Sequence, residues 1–311
     1  MLLWSVFVQV LLPILVMFGC GWLLDRRASL NLVTLVQLNI RAVVPAFIFH
    51  TIVASTLDAA LAGRVFAFSL TIILAMLAAG ALVGKLLDYR PEETRALQLG
   101  TMFYNSGNFG IPLMSLAYPV TGPLLQVFIV LAQNISTFTI GLFVASSANV
   151  RGWRAGLPML RQISLWAVAA AFAVRAFSLP VREVRWLWVP IEYFSNAYIG
   201  LALVTLGAQM SKVTAHKSFA RLGWAVGMRL LGGPALACAL VGVFGFHGET
   251  ACIMILSTSF PTAVNSALIA HEFKADADFA AAAVFYSTLA SMFTVTVVIT
   301  LLRVPQIATM F

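Results

Sequence analysis

Polar and helix-breaking residues cluster inside one apolar stretch, residues 101–119, where they could bind a solute. The stretch contains Asn105, Ser106 and Asn108, together with two glycines and Pro112. Glycine and proline favour an opened backbone, which a membrane tolerates only where protein or a polar cavity surrounds it. Interrupted helices of this kind often form the binding sites of transporters. We therefore predict that Asn105, Ser106, Asn108 and Pro112 shape a binding site.

A second apolar stretch, residues 253–266, carries a matching interruption that contains Pro261, Thr262 and Asn265. Two interrupted helices that cross at mid-depth bring helix ends and unpaired carbonyls together. Such a crossing can hold anions and cations without charged side chains. The alternative is a proline kink, with Asn and Ser bonding locally inside an ordinary helix bundle. The occurrence of an interruption in both halves favours the binding site.

Arg41 lies in the middle of a predicted span, four residues before Pro45. An arginine at that depth is costly unless it faces a polar cavity or a partner, and the acidic residues all fall in loops or near predicted span ends. An unpaired guanidinium favours an anionic substrate, such as a carboxylate. Alternatively, Arg41 lies nearer the membrane interface or binds the carbonyls of a helix end. Arg175 and Arg229 are predicted to extend toward the membrane surface.

The polar residues of the predicted spans also constrain ion coupling. Antiporters often relay protons through Asp or Glu in the membrane, so the missing acids disfavour this mechanism. The histidines lie near predicted span ends, where a solvated or capping role is expected: His50, His216, His247 and His271. Sodium coupling remains open, because carbonyls and Asn, Ser or Thr oxygens can bind sodium. No cofactor or metal is predicted, since Cys20, Cys238 and Cys252 lack metal-ligand spacing.

The composition predicts that a membrane domain positions these residues. Of the 311 residues, 61% are apolar and 10% are charged, and the mean hydropathy is +0.96, values far from those of soluble domains. The net charge of +8 is scattered between apolar runs, so the expected partner is the lipid bilayer and not nucleic acid. Walker, zinc-protease and serine-elbow patterns are missing from the sequence. We predict one non-enzymatic membrane domain over 1–311.

Apolar runs between charged or turn-rich breaks predict an all-α polytopic fold with ten transmembrane helices. The predicted spans are 3–24, 30–53, 62–87, 94–118, 122–147, 159–179, 190–210, 219–245, 249–271 and 276–302. The two interruptions fall in the fourth and ninth spans. These two spans are therefore predicted to cross each other.

Basic residues are unequally divided between the two predicted sides of the membrane. Loops on one side hold twelve, namely Arg26, Arg27, Lys85, Arg90, Arg95, Arg151, Arg154, Arg161, Lys212, Lys217, Arg221 and Lys274. The opposite side holds four, namely Arg64, Arg182, Arg185 and Arg303. Because basic loops remain in the cytoplasm, we predict an inner (plasma) membrane protein with both termini on the non-cytoplasmic side.

The two halves of the chain, 1–147 and 159–303, share a pattern of residues at nearly constant spacing. The matching pairs are Glu93 with Glu249, Arg64 with Arg221, and Asn39 with Asn196. Each half has five predicted spans. Because five is odd, the second half must insert upside down relative to the first, which is the inverted-repeat architecture of many secondary transporters.

The motif Tyr104-Asn-Ser-Gly-Asn-Phe-Gly-Ile-Pro-Leu113 resembles the fourth-span signature of the auxin efflux carrier family. Phe260-Pro-Thr-Ala-Val-Asn265 is similar to the ninth-span partner of that signature. The resemblance implies a fold like those of bile acid:sodium symporters and sodium/proton antiporters. It implies a scaffold of spans 1, 2, 6 and 7, a transport domain of spans 3–5 and 8–10, a homodimer formed through the scaffold, and an elevator-like movement.

The sequence therefore predicts a secondary transporter for a small organic anion. The segment 148–158 is too short for the long central loop of plant auxin exporters, and auxin itself is not implied. Bacterial family members described as malonate or malate permeases suggest a carboxylate. A membrane sensor that uses the same pocket without net transport is the alternative, and a channel is a weaker third reading.

Overall fold

The computed structural model describes residues 2–55, 58–145, 163–212, 219–272 and 275–304, and these residues form helices without a β-strand. Seven of the described helices are long and apolar enough to cross a membrane: α1 (Leu2–Ala28), α2 (Leu32–Ala54), α3 (Ala59–Leu86), α6 (Gly122–Ala145), α8 (Arg185–Met210), α9 (Ala220–Leu240) and α12 (Ala277–Leu302). The all-α fold is confirmed, and the length of the apolar helices indicates a multi-pass membrane protein.

The other three predicted spans correspond to shorter helices. The fourth is divided into α4 (Pro91–Met102) and α5 (106–117), and the ninth into α10 (Gly248–Thr258) and α11 (Val264–Glu272). The sixth corresponds to α7 (Ile163–Ala176), which has 14 residues. The count of ten crossings therefore stays a prediction. Several residues used for the orientation and histidine predictions lie outside the described residues: Arg151, Arg154, Arg161, His216, Lys217 and Lys274.

The first interruption lies slightly earlier in the chain than its glycines and proline. The helix stops at Met102, residues 103–105 are not helical, and a π-helical turn already begins at Ser106. Pro112 lies inside α5, in the first turn of its α-helical part, where a missing N–H costs little. In the second interruption, by contrast, Pro261 lies within the non-helical residues 259–263.

Wide π-helical turns occur just before prolines in four places. The turns Phe7–Leu11, Asn39–Val43, Ser106–Gly110 and Met228–Gly232 are followed two residues later by Pro13, Pro45, Pro112 and Pro234, respectively. Proline cannot donate the helical hydrogen bond and crowds the preceding turn, so the backbone upstream widens. These turns carry Asn39, Asn108 and Arg229, whose side chains form hydrogen bonds at the interruptions.

Ion pairs join helices at the ends that are predicted to face the cytoplasm. Buried Asp25, in the last turn of α1, pairs with Lys212 after α8 at 2.9 Å. Glu93, in the first turn of α4, pairs with Arg90 at 2.9 Å and also with Arg221 of α9. The two clusters connect α1 to α8 and α4 to α9. Helices from opposite halves of the chain are therefore joined at this end.

Candidate functional site

The two interruptions contact each other directly through their backbones. The N–H of Asn105 donates to the carbonyl of Pro261 at 2.7 Å, and the N–H of Ala263 donates to the carbonyl of Phe103 at 3.1 Å. Tyr104 and Thr262 consequently form an isolated antiparallel bridge. Non-helical backbone inside an apolar core requires such partners. Each interruption thus supplies hydrogen-bond partners for backbone groups of the other.

Side chains of the second interruption cap the end of α4. The last carbonyls of a helix have no partner within that helix. The hydroxyl of Ser266 donates to Leu99 O at 2.8 Å, and the hydroxyl of Thr262 donates to Gly100 O at 2.7 Å. The predicted site residue Thr262 therefore holds the two interruptions together through this hydrogen bond. It does not line the cavity beside them.

Arg229 joins the C-terminal ends of α4 and α10, the helices that precede the two interruptions. Its guanidinium donates to the carbonyls of Thr101, near the end of α4, and Thr258, the last residue of α10. The Arg229 side chain is fully buried. The prediction that Arg229 extends to the membrane surface is wrong, because two inward-facing helix ends supply acceptors that the sequence does not place near it.

A cavity of about 240 Å³ lies beside the crossing. Its walls come from both interruptions, from α6, and from α2, α7 and α8 on the facing side. Four predicted site residues line this cavity: Asn105, Ser106, Asn108 and Asn265. The structure therefore brings polar residues of the two interruptions to one cavity.

The other predicted site residues lie at the margin of this cavity or outside its lining. Buried Pro112, in α5, and buried Pro261, in the non-helical part of the second interruption, do not line the cavity. Arg41 is exposed on α2, although Ile40 and Val44 of the same helix line the cavity. Within the described part of the chain, Arg41 therefore does not belong to the lining of the cavity.

Two buried amide groups have their hydrogen-bond donors unused at the cavity. The Asn105 Oδ1 accepts from Phe109 N at 3.3 Å, and the Gln133 Oε1 accepts from Tyr104 N at 3.4 Å. Since the oxygens bond backbone N–H groups, the amide orientations are determined by the network. Among the described residues, Asn105 Nδ2 and Gln133 Nε2 have no hydrogen-bond partner.

Gln133 was missed by the sequence analysis, although a pattern in α6 could have indicated it. Gln126, Gln133, Asn134 and Thr137 follow one another at spacings of seven, one and three residues, which places polar groups along one helical face. All but Gln126 line the cavity. Gln126 Nε2 instead donates to Ser106 O at 2.9 Å and supports the interruption from behind.

Two side chains of α2 and α8 lie on the facing side of the cavity, and one of them bonds the interruption. Asn39 Nδ2 of α2 donates to Asn108 Oδ1 at 3.2 Å. Tyr198 of α8 is fully buried, stacks on Phe47 of α2 with ring centres 4.8 Å apart, and lines the cavity. The cavity therefore lies between α2, α7 and α8 on one side and the crossing on the other.

The described lining of the cavity consists of amide, hydroxyl and apolar side chains together with backbone groups. No charged side chain belongs to the described lining of the cavity. No group of three or more His, Cys, Asp or Glu residues that could hold a metal occurs among the described residues. Unpaired amide donors are stabilised by a ligand that brings hydrogen-bond acceptors.

Comparisons with known proteins agree with the motifs of the interruptions. A family model described as membrane transport protein matches residues 6–152 and 164–299, which is most of the chain. A protein of Methanothermobacter thermautotrophicus described as an uncharacterized transporter is 24% identical over 200 residues, covering 64% of this chain and 65% of that protein. The match thus spans just under two thirds of that relative's length. This chain belongs to the membrane transport protein family, which is the auxin efflux carrier family.

Proposed function

We propose that the protein is a secondary transporter that binds a small organic anion, with a carboxylate group, at the crossing of the two interruptions. The observation that carries this proposal is the pair of buried donors without a hydrogen-bond partner, Asn105 Nδ2 and Gln133 Nε2, on two residues that line one cavity. Their amide oxygens are already bonded, so the free NH2 groups favour a ligand rich in acceptors. A carboxylate offers four acceptor positions and no donor.

The size of the cavity and the helices that begin there support a small anion. The cavity volume of about 240 Å³ is below the ~300–1,000 Å³ of pockets for drug-sized ligands. Both α5 and α11 begin at cavity-lining residues, namely Ser106 and Val264. The N-terminal ends of helices carry partial positive charge. These ends add to the two amide donors and compensate for the lack of a charged residue in the described lining.

Reciprocal contacts support the proposed inverted repeat. Thr258 follows Thr101 by 157 residues, and both carbonyls accept from Arg229. Arg221 follows Arg64, and Phe246 follows Tyr89, by the same 157 residues. The guanidinium of Arg64 lies over the ring of Phe246, and that of Arg221 lies over the ring of Tyr89, each with its carbon 5.8 Å from the ring centre. Contacts exchanged in this way between the halves are expected from a pseudo-two-fold axis.

In the proposed architecture, the chain spans the membrane ten times. In it, α1, α2, α7 and α8 form a scaffold that dimerises, and the remaining helices form a transport body that moves as in an elevator. The cavity between α2, α7, α8 and the crossing supports this division, because sliding along that boundary would expose the ligand on alternate sides. The basic loops support the inner or plasma membrane with both termini outside the cytoplasm.

Counterflow in proteoliposomes tests the proposal. Vesicles preloaded with individual mono- and dicarboxylates are assayed for uptake of the same radiolabelled compound, and saturable uptake of at least one is expected. Asn105→Ala should weaken binding by about tenfold or more, since it removes a donor to a charged ligand. Asn196→Ala, on the exposed face of α8, is the control. Unchanged affinity in Asn105→Ala, with a normal melting temperature, would contradict the site.

The same vesicles distinguish transport from sensing. A sensor would bind a carboxylate in detergent, with Asn105→Ala reducing the affinity, but would show no flux in vesicles of verified orientation and tightness. A channel would give flux that does not saturate with substrate concentration. Saturable counterflow would therefore support the transporter over both alternatives.

A further inference from the structure

Arg229 is a buried cation held between two helix ends. It lies in the π-helical turn Met228–Gly232 of α9 and is the largest of the fully buried side chains of the described chain. Its two terminal nitrogens donate to Thr101 O and Thr258 O. The guanidinium carbon also lies 4.8 Å from the ring centre of Tyr104, which lines the cavity. Arg229 therefore contacts the cavity wall through Tyr104 and does not itself line the cavity.

The charge of Arg229 is balanced by helix ends and not by an acid. The salt bridges of the described residues involve Asp25, Glu92 and Glu93, and none includes Arg229. The C-terminal end of a helix carries about half a negative charge on its unpaired carbonyls. Two such ends, those of α4 and α10, meet at the guanidinium. Together they supply roughly one compensating charge.

The local sequence of α9 makes room for this arrangement. A Cβ added at Gly233 would come within 2.3 Å of Arg229 Nη2 and 2.5 Å of Thr258 O. Only glycine therefore lets the guanidinium and the end of α10 meet beside this turn. The residue 157 positions earlier is buried Ile72 of α3. One arginine thus serves both helix ends, and the first half carries no second cation at the matching position.

Opposed half-helix ends and unwound carbonyls are where transporters with interrupted helices bind their coupling cations. We propose that Arg229 is a resident cation that permanently fills this position, so that ligand binding at the crossing requires no sodium ion there. Arg229 is a positioning residue: it neutralises the ends of α4 and α10 and holds Tyr104 against the cavity. The consequence for substrate coupling rests on the proposed transport function, whereas the occupancy of the cation position does not.

The test compares cation-dependent stability in detergent, where no substrate is needed. Melting temperatures are measured in equal concentrations of sodium chloride and choline chloride. The wild-type protein should melt at the same temperature in both. Arg229→Ala should melt at a lower temperature in choline and gain at least about 2 °C in sodium or in millimolar methylguanidinium, since a ligand at several times its Kd stabilises the folded state by this much.

Two further variants make the result specific. Arg229→Lys keeps the positive charge and should show no sodium-specific shift. Arg64→Ala removes an arginine that also contacts a carbonyl, Gly245 O, and an aromatic ring, Phe246, but not a half-helix end. It should be equally stable in both salts.

A sodium-specific stabilisation of the wild-type protein would overturn the proposal, as would a folded Arg229→Ala that responds to neither cation. If Arg229→Ala can be purified only with sodium or methylguanidinium, the proposal is supported. If it cannot be purified at all, the wild-type and Arg229→Lys measurements decide. The absence of carboxylate flux in vesicles would contradict the proposed function without altering these stability results.

Discussion

The amide side chains at the crossing have a defined direction because backbone groups hold one end of each. Phe109 N bonds the oxygen of Asn105, and Tyr104 N bonds the oxygen of Gln133. The donors that remain are neutral, so the site can bind an anion without a charged partner in the described lining. Under the proposed elevator movement, neutral donors would also let the empty site move through the membrane at low electrostatic cost.

Reversing the polarity of one amide tests whether the ligand is an anion. Gln133→Glu preserves the shape of the side chain but replaces the free NH2 with a carboxylate oxygen. We expect the affinity for a carboxylate to fall by about tenfold or more, because repulsion replaces a hydrogen bond. Ligand binding is measured by isothermal titration or by the shift in melting temperature.

Gln98→Glu is the matched control, since Gln98 lies on α4 and bonds Leu77 O at 3.4 Å outside the cavity lining. It should leave the affinity unchanged. Equal or tighter carboxylate binding by Gln133→Glu would mean that the ligand does not present its acceptors to this amide.

The sequence predicted part of this residue set for physical reasons that are local. Asn105, Ser106, Asn108 and Asn265 stand beside helix breakers, so their unusual setting is visible in the sequence. Arg229 has no local signal, because its acceptors lie 128 and 29 residues away and become neighbours only in the fold. Its burial depends on helix ends that composition and spacing cannot position.

At the scale of helices, the interruptions depend on the close approach of neighbouring segments as well as on helix-breaking residues. Gly110, in α5, lies against Phe260 of the second interruption and Gln126 of α6. Phe109 and Phe260 pack edge to face, with ring centres 5.6 Å apart. The sequence predicted that Gly110 opens the backbone, whereas the structure shows it within a helical turn where its missing side chain admits the aromatic ring.

Gly110→Ala should therefore destabilise the protein. The added Cβ would come within 2.7 Å of the Phe260 ring and 2.8 Å of Gln126 Nε2, and overpacking of this kind costs about 1–3 kcal/mol. A lower melting temperature is expected, together with weaker ligand binding because Gln126 supports Ser106. Differential scanning fluorimetry with and without a carboxylate measures both effects.

Gly63→Ala provides the comparison, because no atom lies within 4 Å of a Cβ added at this position in α3. It should leave the stability unchanged or raise it by up to about 1 kcal/mol. If Gly110→Ala behaved like Gly63→Ala, the close packing of α5 on Phe260 would not hold in solution.

At the scale of the whole molecule, the apolar composition predicted the fold class, whereas only the structure shows which helices lie next to each other. The predicted span 3–24 falls inside α1, and the predicted span 276–302 matches α12 to within one residue. Long apolar runs are predictable because a membrane-spanning segment must satisfy its own backbone hydrogen bonds, as a helix does. The sequence could not show that α2, α7 and α8 face the crossing across one cavity. That relation depends on contacts between distant segments, such as the hydrogen bond from Asn39 to Asn108.

A crosslink across this boundary tests the proposed elevator movement. In a variant with Cys20, Cys238 and Cys252 replaced by serine, Asn39→Cys and Asn108→Cys place one thiol on the scaffold and one on the transport body. Their native side chains lie 3.2 Å apart, so a short bifunctional thiol reagent should join them. We expect crosslinking to abolish carboxylate counterflow and reductive cleavage to restore it to the level of the untreated double variant.

The control joins two helices that are proposed to move together. Glu93→Cys and Arg221→Cys replace an ion pair between α4 and α9, both assigned to the transport body, and their crosslink should leave counterflow close to that of the reduced sample. Each variant serves as its own reference, so any loss caused by the substitutions themselves cancels. Undiminished counterflow in fully crosslinked Asn39→Cys/Asn108→Cys protein would exclude sliding along this boundary, because a joined scaffold and transport body cannot exchange the ligand between the two sides.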